Sequence, residues 1–217
     1  AGVAKDYPKS GLDNVEMIRM LKIVKDSAIK ARTQAINQMK ALIVTAPVEL
    51  RHKLAGLNAR RLVDRCRSFR TGHLATPAAV TKHALRLLAR RHSQLTSEIE
   101  GVDKELVRLT AETAPALVHT FGVGADTAAT LLVTAGSNPE RLRSEPAFAA
   151  LCGVNPIPAS SGKTDRHRLN RGGDRQANAA LYRVVLVRLR YDEPTKEYMR
   201  RRTREGMTKP EVLRCLK

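Results

Sequence analysis

Two adjacent serines, Ser160 and Ser161, stand directly before Gly162 in a stretch that also holds Pro156 and Pro158. A hydroxyl next to glycine in a loop is open to approach. Serine is a weak nucleophile until a base or a metal activates it. His167 is the nearby imidazole, and Lys163, Arg166, Arg168, Arg171 and Arg175 follow. Guanidinium groups stabilise the charge that builds on a phosphate under attack. The chemistry that these residue types allow is therefore attack on a phosphodiester. Taken alone, a Ser-Gly pair in a loop is as well explained by a turn.

A second constellation lies upstream. Residues 117–129 read as a short apolar helix, the hairpin Gly122-Val123-Gly124, and then a helix of small residues. This is the layout of a helix-hairpin-helix. Glycines admit backbone conformations closed to other residues. They also let bare amides approach a phosphate at the start of the next helix. Gly122 and Gly124 are thus candidate contacts to a nucleic-acid backbone, gripping phosphates without reading bases. His119 and Phe121 read as packing residues.

A third feature is the basic tail. Residues 163–204 hold 13 Lys plus Arg against 5 Asp plus Glu, including Arg200-Arg201-Arg202 and Arg204. The one-sided sign beside the Ser-Gly loop points to phosphate contact. Tyr182, Tyr191 and Tyr198 could stack on bases, but burial in the domain is the expectation.

Elements that position these residues follow from periodicity and punctuation. Residues 1–12 contain Gly2, Pro8 and Gly11 and read as a linker. Asp13 and Glu16 have capping-box spacing, so a helix is expected to start there. Met17, Leu21, Val24, Ala28, Ala31, Ala35, Gln38 and Leu42 then recur at steps of four and three, a heptad seam. That helix should stop before Pro47. Residues 47–75 are mixed, with a basic bias from Arg60, Arg61, Arg65, Arg67 and Arg70. Thr76-Pro77 is an N-cap and first-turn pair. It opens a second seam: Ala84, Leu88, Arg91, Leu95, Ile99, Val102, Leu106 and Leu109, ending before Pro115. Two long heptad helices read as an antiparallel hairpin or as a dimerising coiled coil. From Pro115 the helices shorten and Gly and Pro become frequent. The division is residues 1–113 as a linker and coiled-coil arm and 114–217 as a compact domain carrying the serine loop. The expected fold is all-α: long coiled-coil helices, then a compact helical domain with a helix-hairpin-helix.

Composition sets the class of partner. The 217 residues carry 39 Lys plus Arg and 21 Asp plus Glu, a net charge of +18. Such an excess strains a compact fold by self-repulsion, and a polyanion relieves it. Membrane surfaces usually take a basic amphipathic helix with bulky Trp or Phe, and no such helix is legible. No segment has the length of an uninterrupted transmembrane helix. The three cysteines, Cys66, Cys152 and Cys215, form no CxxC pair and no zinc pattern, which reads as reduced thiols in a cytoplasmic protein. The chain starts at Ala1 and stops at Lys217 inside a helical pattern, so it is expected to be part of a longer protein.

The order Phe148-Ala-Ala-Leu-Cys-Gly-Val-Asn-Pro156, Ser160-Ser-Gly162, Arg166-His-Arg-Leu-Asn-Arg-Gly-Gly-Asp174 and Asn178-Ala-Ala-Leu181 resembles the C-terminal domain of the insertion-sequence 110 family, the bacterial transposases related to the Piv DNA invertase. The hairpin fits the same domain, and residues 30–38 are similar to the helix that precedes it. The resemblance implies a DNA transposase or site-specific recombinase in which a serine of the Ser-Gly motif is the nucleophile. Ser161 is the better match and Ser160 the alternative. It further implies DNA and a noncoding bridge RNA as partners, a dimeric or tetrameric assembly, and divalent metal, magnesium, held by an N-terminal RuvC-like domain that this chain does not include. No cofactor is expected on the chain itself, and alone it is expected to be inactive. A different class of function fits the same charge and seams: an inert module that binds nucleic acid and dimerises. A DNA-bridging protein is a third reading. Only the first needs the Ser-Gly loop.

Overall fold

The computed structural model describes residues 13–136, 142–160, 162 and 167–217. The expected linker at residues 1–12 therefore lies outside the described residues. The protein is all-α, with one two-stranded antiparallel ribbon among the described residues. It divides into two compact units. One is Ile23–Glu105; the other joins the chain up to Lys22 with Leu106–Lys217. Helices α1 (Asn14–Val44) and α4 (Pro77–Thr113) contribute to both.

The helix starts follow the capping logic. The Asp13 carboxylate accepts from the Glu16 amide at 2.9 Å, as the spacing predicts. The Glu16 carboxylate also accepts from Arg19 Nε at 2.8 Å. Thr76 Oγ1 accepts from the Ala79 amide at 3.2 Å and Pro77 opens α4. Both helices stop where proline stops them, at Val44 and Thr113.

Within the unit 23–105, α1 and α4 pair antiparallel inside the chain. Lys25 near the start of one meets Asp103 near the end of the other, Nζ to Oδ1 2.6 Å. Met39 shares a core cluster with Leu85 and Ala89. The seam on α1 differs from the expected one. Ala28 and Ala35 are buried, and Leu42 packs on the core. The alternate positions, however, are Ile18, Lys25 and Met39, one residue beyond Met17, Val24 and Gln38. Met17 and Val24 are exposed. On α4, Leu85 and Ala89 are buried while Arg91 is exposed. The reason is Lys25. Apolar periodicity assigns the seam to Val24, but the lysine stem packs in the seam and its ammonium ends on Asp103. His92 also takes an inward position, and burial, followed by the charge of Arg32, lowers its pKa.

The expected connector is helical. Helices α2 (Val48–Leu54) and α3 (Ala59–Arg67) close the end of the hairpin. Leu50, Leu54, Leu62, Val63 and Cys66 join Met39 and Leu85 in one core. Asn58 caps α3 by accepting from the Arg61 amide at 3.0 Å. The legible signal was that cap together with Leu62, Val63 and Cys66 on one face.

In the other unit, α5 (Pro115–His119) and α6 (Ala125–Ala135) precede α7 (Glu145–Leu151). Strands β1 (Ile157–Pro158) and β2 (His167–Arg168) precede α8 (Arg175–Tyr191), α9 (Glu193–Arg204) and α10 (Lys209–Cys215). Helix α6 buries Thr127, Ala128, Ala129, Thr130 and Leu131, and α8 buries Ala177, Ala180 and Val185. Small side chains on both let the two axes come close, which is how a core with few aromatics reaches density. Leu131, Cys152, Ala177 and Ala180 form its centre. Asp192 ends α8 and caps α9, accepting from the Thr195 amide at 3.1 Å and from its hydroxyl. Those hydrogen bonds hold the Asp192 carboxyl below its ordinary pKa.

The Lys25 contact is testable by denaturant unfolding. Lys25 is nearly buried and Asp103 is about half exposed. Asp103→Asn leaves the buried ammonium poorly matched and is expected to lower stability by about 1–2 kcal/mol. Lys25→Met keeps the stem without the charge and is expected to be neutral or stabilising. Equal losses in both variants would mean that the ion pair itself, rather than the packed stem, holds this layer.

Candidate nucleic-acid site at the serine loop

The serine loop hangs on a contact between two backbones. Helix α7 ends at Cys152, and Gly153 turns the chain with φ +64°. Before α8 the chain passes through Gly173 with φ +81°. A Cβ on Gly173 would lie 2.5 Å from the Gly153 nitrogen and 2.8 Å from the Leu151 carbonyl oxygen. A Cβ on Gly153 would lie 2.5 Å from the Gly172 carbonyl oxygen. Both positions thus need glycine twice over, for their left-handed backbone and for the space.

Side chains lock this junction. The Asp174 amide donates to the Leu151 carbonyl at 2.8 Å. The Asp174 carboxylate caps α8, accepting from the amides of Gln176 at 2.7 Å and Ala177 at 3.1 Å. Its other oxygen accepts from the Thr134 hydroxyl of α6 at 3.0 Å. Asn178, one turn on, donates to the Gly153 carbonyl at 2.9 Å and to the Cys152 carbonyl at 3.3 Å. It satisfies carbonyls left without partners at the end of α7. Lys217 Nζ donates to Asn178 Oδ1 at 2.9 Å. Asn170 donates to Asn155 Oδ1 at 2.5 Å across the neck of the loop. Cys152, wholly buried here, has its thiol pushed up to about 11 by burial and by the charge of Asp174. Sequence reading missed Asp174, Asn178, Asn155 and Asn170; the Asp-x-x-x-Asn spacing at the start of α8 was the available signal.

Above the neck, Ile157 pairs with Arg168 and Pro158 with His167. Ser160 and Gly162 are exposed on the turn between the strands. Ser161, Lys163 and Arg166 lie outside the described residues. Arg168 is exposed on β2, with His167 beside it. Arg171 and Arg175 are exposed and line an open cleft of about 530 Å³ with Asn170, Asp174, Asn178 and Tyr182. The structure therefore brings Arg171 and Arg175 to one cleft and sets Arg168 on the ribbon.

The hairpin glycines part company. Gly122 has φ +89° and faces α8; a Cβ there would meet Arg188 Cγ at 3.1 Å and Val184 Cγ1 at 3.4 Å. Its role is packing. Gly124 is exposed, opens α6 and has free space around it. In the first turn of α6, Asp126 takes Lys22 Nζ at 2.9 Å and stands 3.8 Å from Arg183. His119 and Phe121, expected as packing residues, are exposed, Phe121 by 52%. Tyr182 and Tyr191, expected to be buried, are exposed as well. Arg190 lies over the Tyr191 ring at 5.3 Å and Arg201 over Tyr198 at 5.4 Å. Tyr182 and Tyr191 fall on faces of α8 left exposed among the described residues, and Phe121 on the turn after α5, which residue type alone does not reveal.

Residues 114–200 match the family model of the transposase IS116/IS110/IS902 family. Over that stretch the chain is similar to the transposase domain of that family. The matched stretch takes in the hairpin, the glycine junction, the serine loop and most of α9. The match supports a transposase-related, DNA-handling role with DNA as partner. None of the curated proteins compared with the chain matches it. Among the described residues, no group of three or more His, Cys, Asp or Glu side chains is arranged to hold a metal ion. No described helix is long and apolar enough to cross a membrane.

The glycine junction makes a sharp stability prediction. Gly173→Ala must force apart the Gly153 backbone, and is expected to cost about 2–4 kcal/mol. Gly162→Ala meets open space and is expected to stay within about 0.5 kcal/mol. Thermal unfolding of both variants checks this, and equal midpoints would show that the junction relaxes freely. Alkylation at pH 8 is expected to label exposed Cys215 ahead of buried Cys66 and Cys152, whose thiols both sit near 11.

Proposed function

We propose that the chain is the serine-bearing part of a DNA transposase, and that Ser161 is its nucleophile. The observation that carries this is the family match over residues 114–200, which includes the Ser160-Ser161-Gly162 turn. An exposed turn held by a rigid glycine junction, with Arg168, Arg171 and Arg175 at hand, supports it. In the step itself the Ser161 hydroxyl attacks a backbone phosphorus. A serine–phosphate bond forms, one phosphorus–oxygen bond of the DNA breaks, and the departing DNA oxygen takes a proton. One phosphodiester replaces another, so the energy of the link is kept for rejoining. Gly124, Lys163, Arg166, Arg168, Arg171 and Arg175 hold the DNA backbone in this reading, and Gly122 keeps the hairpin against α8. The arm up to residue 113 mediates homo-oligomer formation. A RuvC-like domain supplies magnesium, and a bridge RNA selects the DNA, in the cytoplasm of a bacterium.

The chain alone is expected to bind DNA, with affinity falling steeply as salt rises, and to form little covalent adduct. Adding a RuvC-like domain, bridge RNA, DNA and magnesium should produce a protein-linked DNA band on a denaturing gel. Ser161→Ala should abolish that band while changing DNA affinity less than about threefold, because one hydroxyl adds little beside many phosphate contacts. Ser160→Ala should be milder. Loss of the band only with Ser160→Ala would move the nucleophile by one residue. A band that survives both changes would leave the second reading, a module that binds nucleic acid and self-associates without chemistry.

A further inference from the structure

We infer that α2 and α3 form a second duplex-DNA contact, separate from the serine loop and outside residues 114–200. Helix α2, the four residues 55–58 and helix α3 have the layout of a helix-turn-helix. Gly56 in the turn has φ +72°. The first helix sets the second by packing: Leu50 and Leu54 share a core with Leu62, Val63 and Cys66. That leaves the opposite face of α3 in solvent, with Arg60, Arg61, Asp64, Arg65 and Arg67 all exposed.

This face is cationic and largely uncompensated. Residues 47–82 hold 8 Lys plus Arg against 2 Asp plus Glu. Asp64 faces Arg67 at 3.9 Å. Arg60, Arg61, Arg65 and Arg70 have no carboxylate within ion-pair distance among the described residues. Beside α3 lies a cleft of about 550 Å³ whose lining includes Lys53, Arg65, Phe69, Arg70 and Lys82, with Glu49 the one carboxylate among the described lining residues. Exposed like charges held this close by a packed core repel one another, and a row of phosphates relieves that.

The shape selects among polyanions. The major groove of B-form DNA is about 12 Å wide and admits a helix, whereas the major groove of an RNA duplex is too deep and narrow. A nine-residue helix with arginines along its free face fits the former. Lys53, Arg70 and Lys82, set to one side, are placed for the flanking phosphates. The serine loop grips DNA through one unit of the chain, and α3 does so through the other. This inference rests on the reading that the chain handles DNA.

The test uses the whole chain and a fluorescent duplex of 30 base pairs, titrated at several salt concentrations. The triple variant Arg60→Gln, Arg61→Gln, Arg65→Gln should lower affinity about a hundredfold near 0.1 M salt and flatten the log–log salt slope by about 2–3, close to 0.9 per lost phosphate contact. Lys30→Gln, Lys40→Gln, Arg90→Gln removes the same charge from other exposed positions of this unit and should change affinity less than about threefold. Equal losses in the two variants would mean that net charge alone acts, and would overturn the inference. An equal loss against an RNA hairpin would overturn the assignment to duplex DNA. Amine-reactive footprinting of the unaltered complex guards against a misfolded variant: Lys53 and Lys82 should be shielded by DNA while Lys30 and Lys40 stay reactive, and the reverse pattern overturns it. Binding that survives the first triple variant overturns this inference alone, whereas failure of the unaltered chain to bind DNA overturns the functional reading as well.

Discussion

At Gly153 and Gly173 two stretches of main chain run so close that neither can carry a side chain. Everything assigned to the serine loop depends on that approach. The loop leaves α7 and returns to α8 through one junction, so its neck width is set by backbone van der Waals contact rather than by flexible side chains. Asp174 and Asn178 convert the contact into a lock. One caps the start of α8, and the other serves the carbonyls at the end of α7. Because Thr134 of α6 also holds Asp174, the hairpin helices and the loop share one frame. On the proposed reading, a nucleophile on this loop needs such a frame, since in-line attack tolerates little displacement.

The second constraint is charge. A net +18 must be spread over folded units whose cores are built from Leu, Val, Ile, Ala and small residues. Each unit meets this in its own way. Around Asp126 and Asp192, and along α9 with Glu193 and Glu205, acidic side chains sit beside arginines and lysines and compensate locally. On α3 and at the rim of the serine-loop cleft, compensation is sparse. Local neutralisation in one place and its lack in another is what separates a solvated basic face from a surface prepared for phosphates. It also tempers the tail: Arg200 and Arg202 already bond to Glu193 and Glu205 at 2.9 and 2.5 Å. The long Arg run is therefore less available than its composition indicates.

Sequence by itself determined the helical class, the limits of both long helices, their caps and the place of the serine loop. These are local matters: proline removes a donor, Asp13 and Thr76 satisfy nearby amides, and glycine reaches backbone angles that others avoid. The family resemblance was legible for the same reason, because its motif is contiguous. Tertiary structure decided the rest. It moved the α1 seam onto Lys25, since only the folded hairpin brings Asp103 within reach of that ammonium. It turned Gly122 toward α8 and left Gly124 open, and it left Phe121, Tyr182 and Tyr191 uncovered. It made a helical pair of residues 48–67 by giving Leu50, Leu62 and Cys66 a common core. And it set Gly153 against Gly173, twenty residues apart, a pairing that no spacing rule contains because it is a collision avoided in space and not a pattern along the chain.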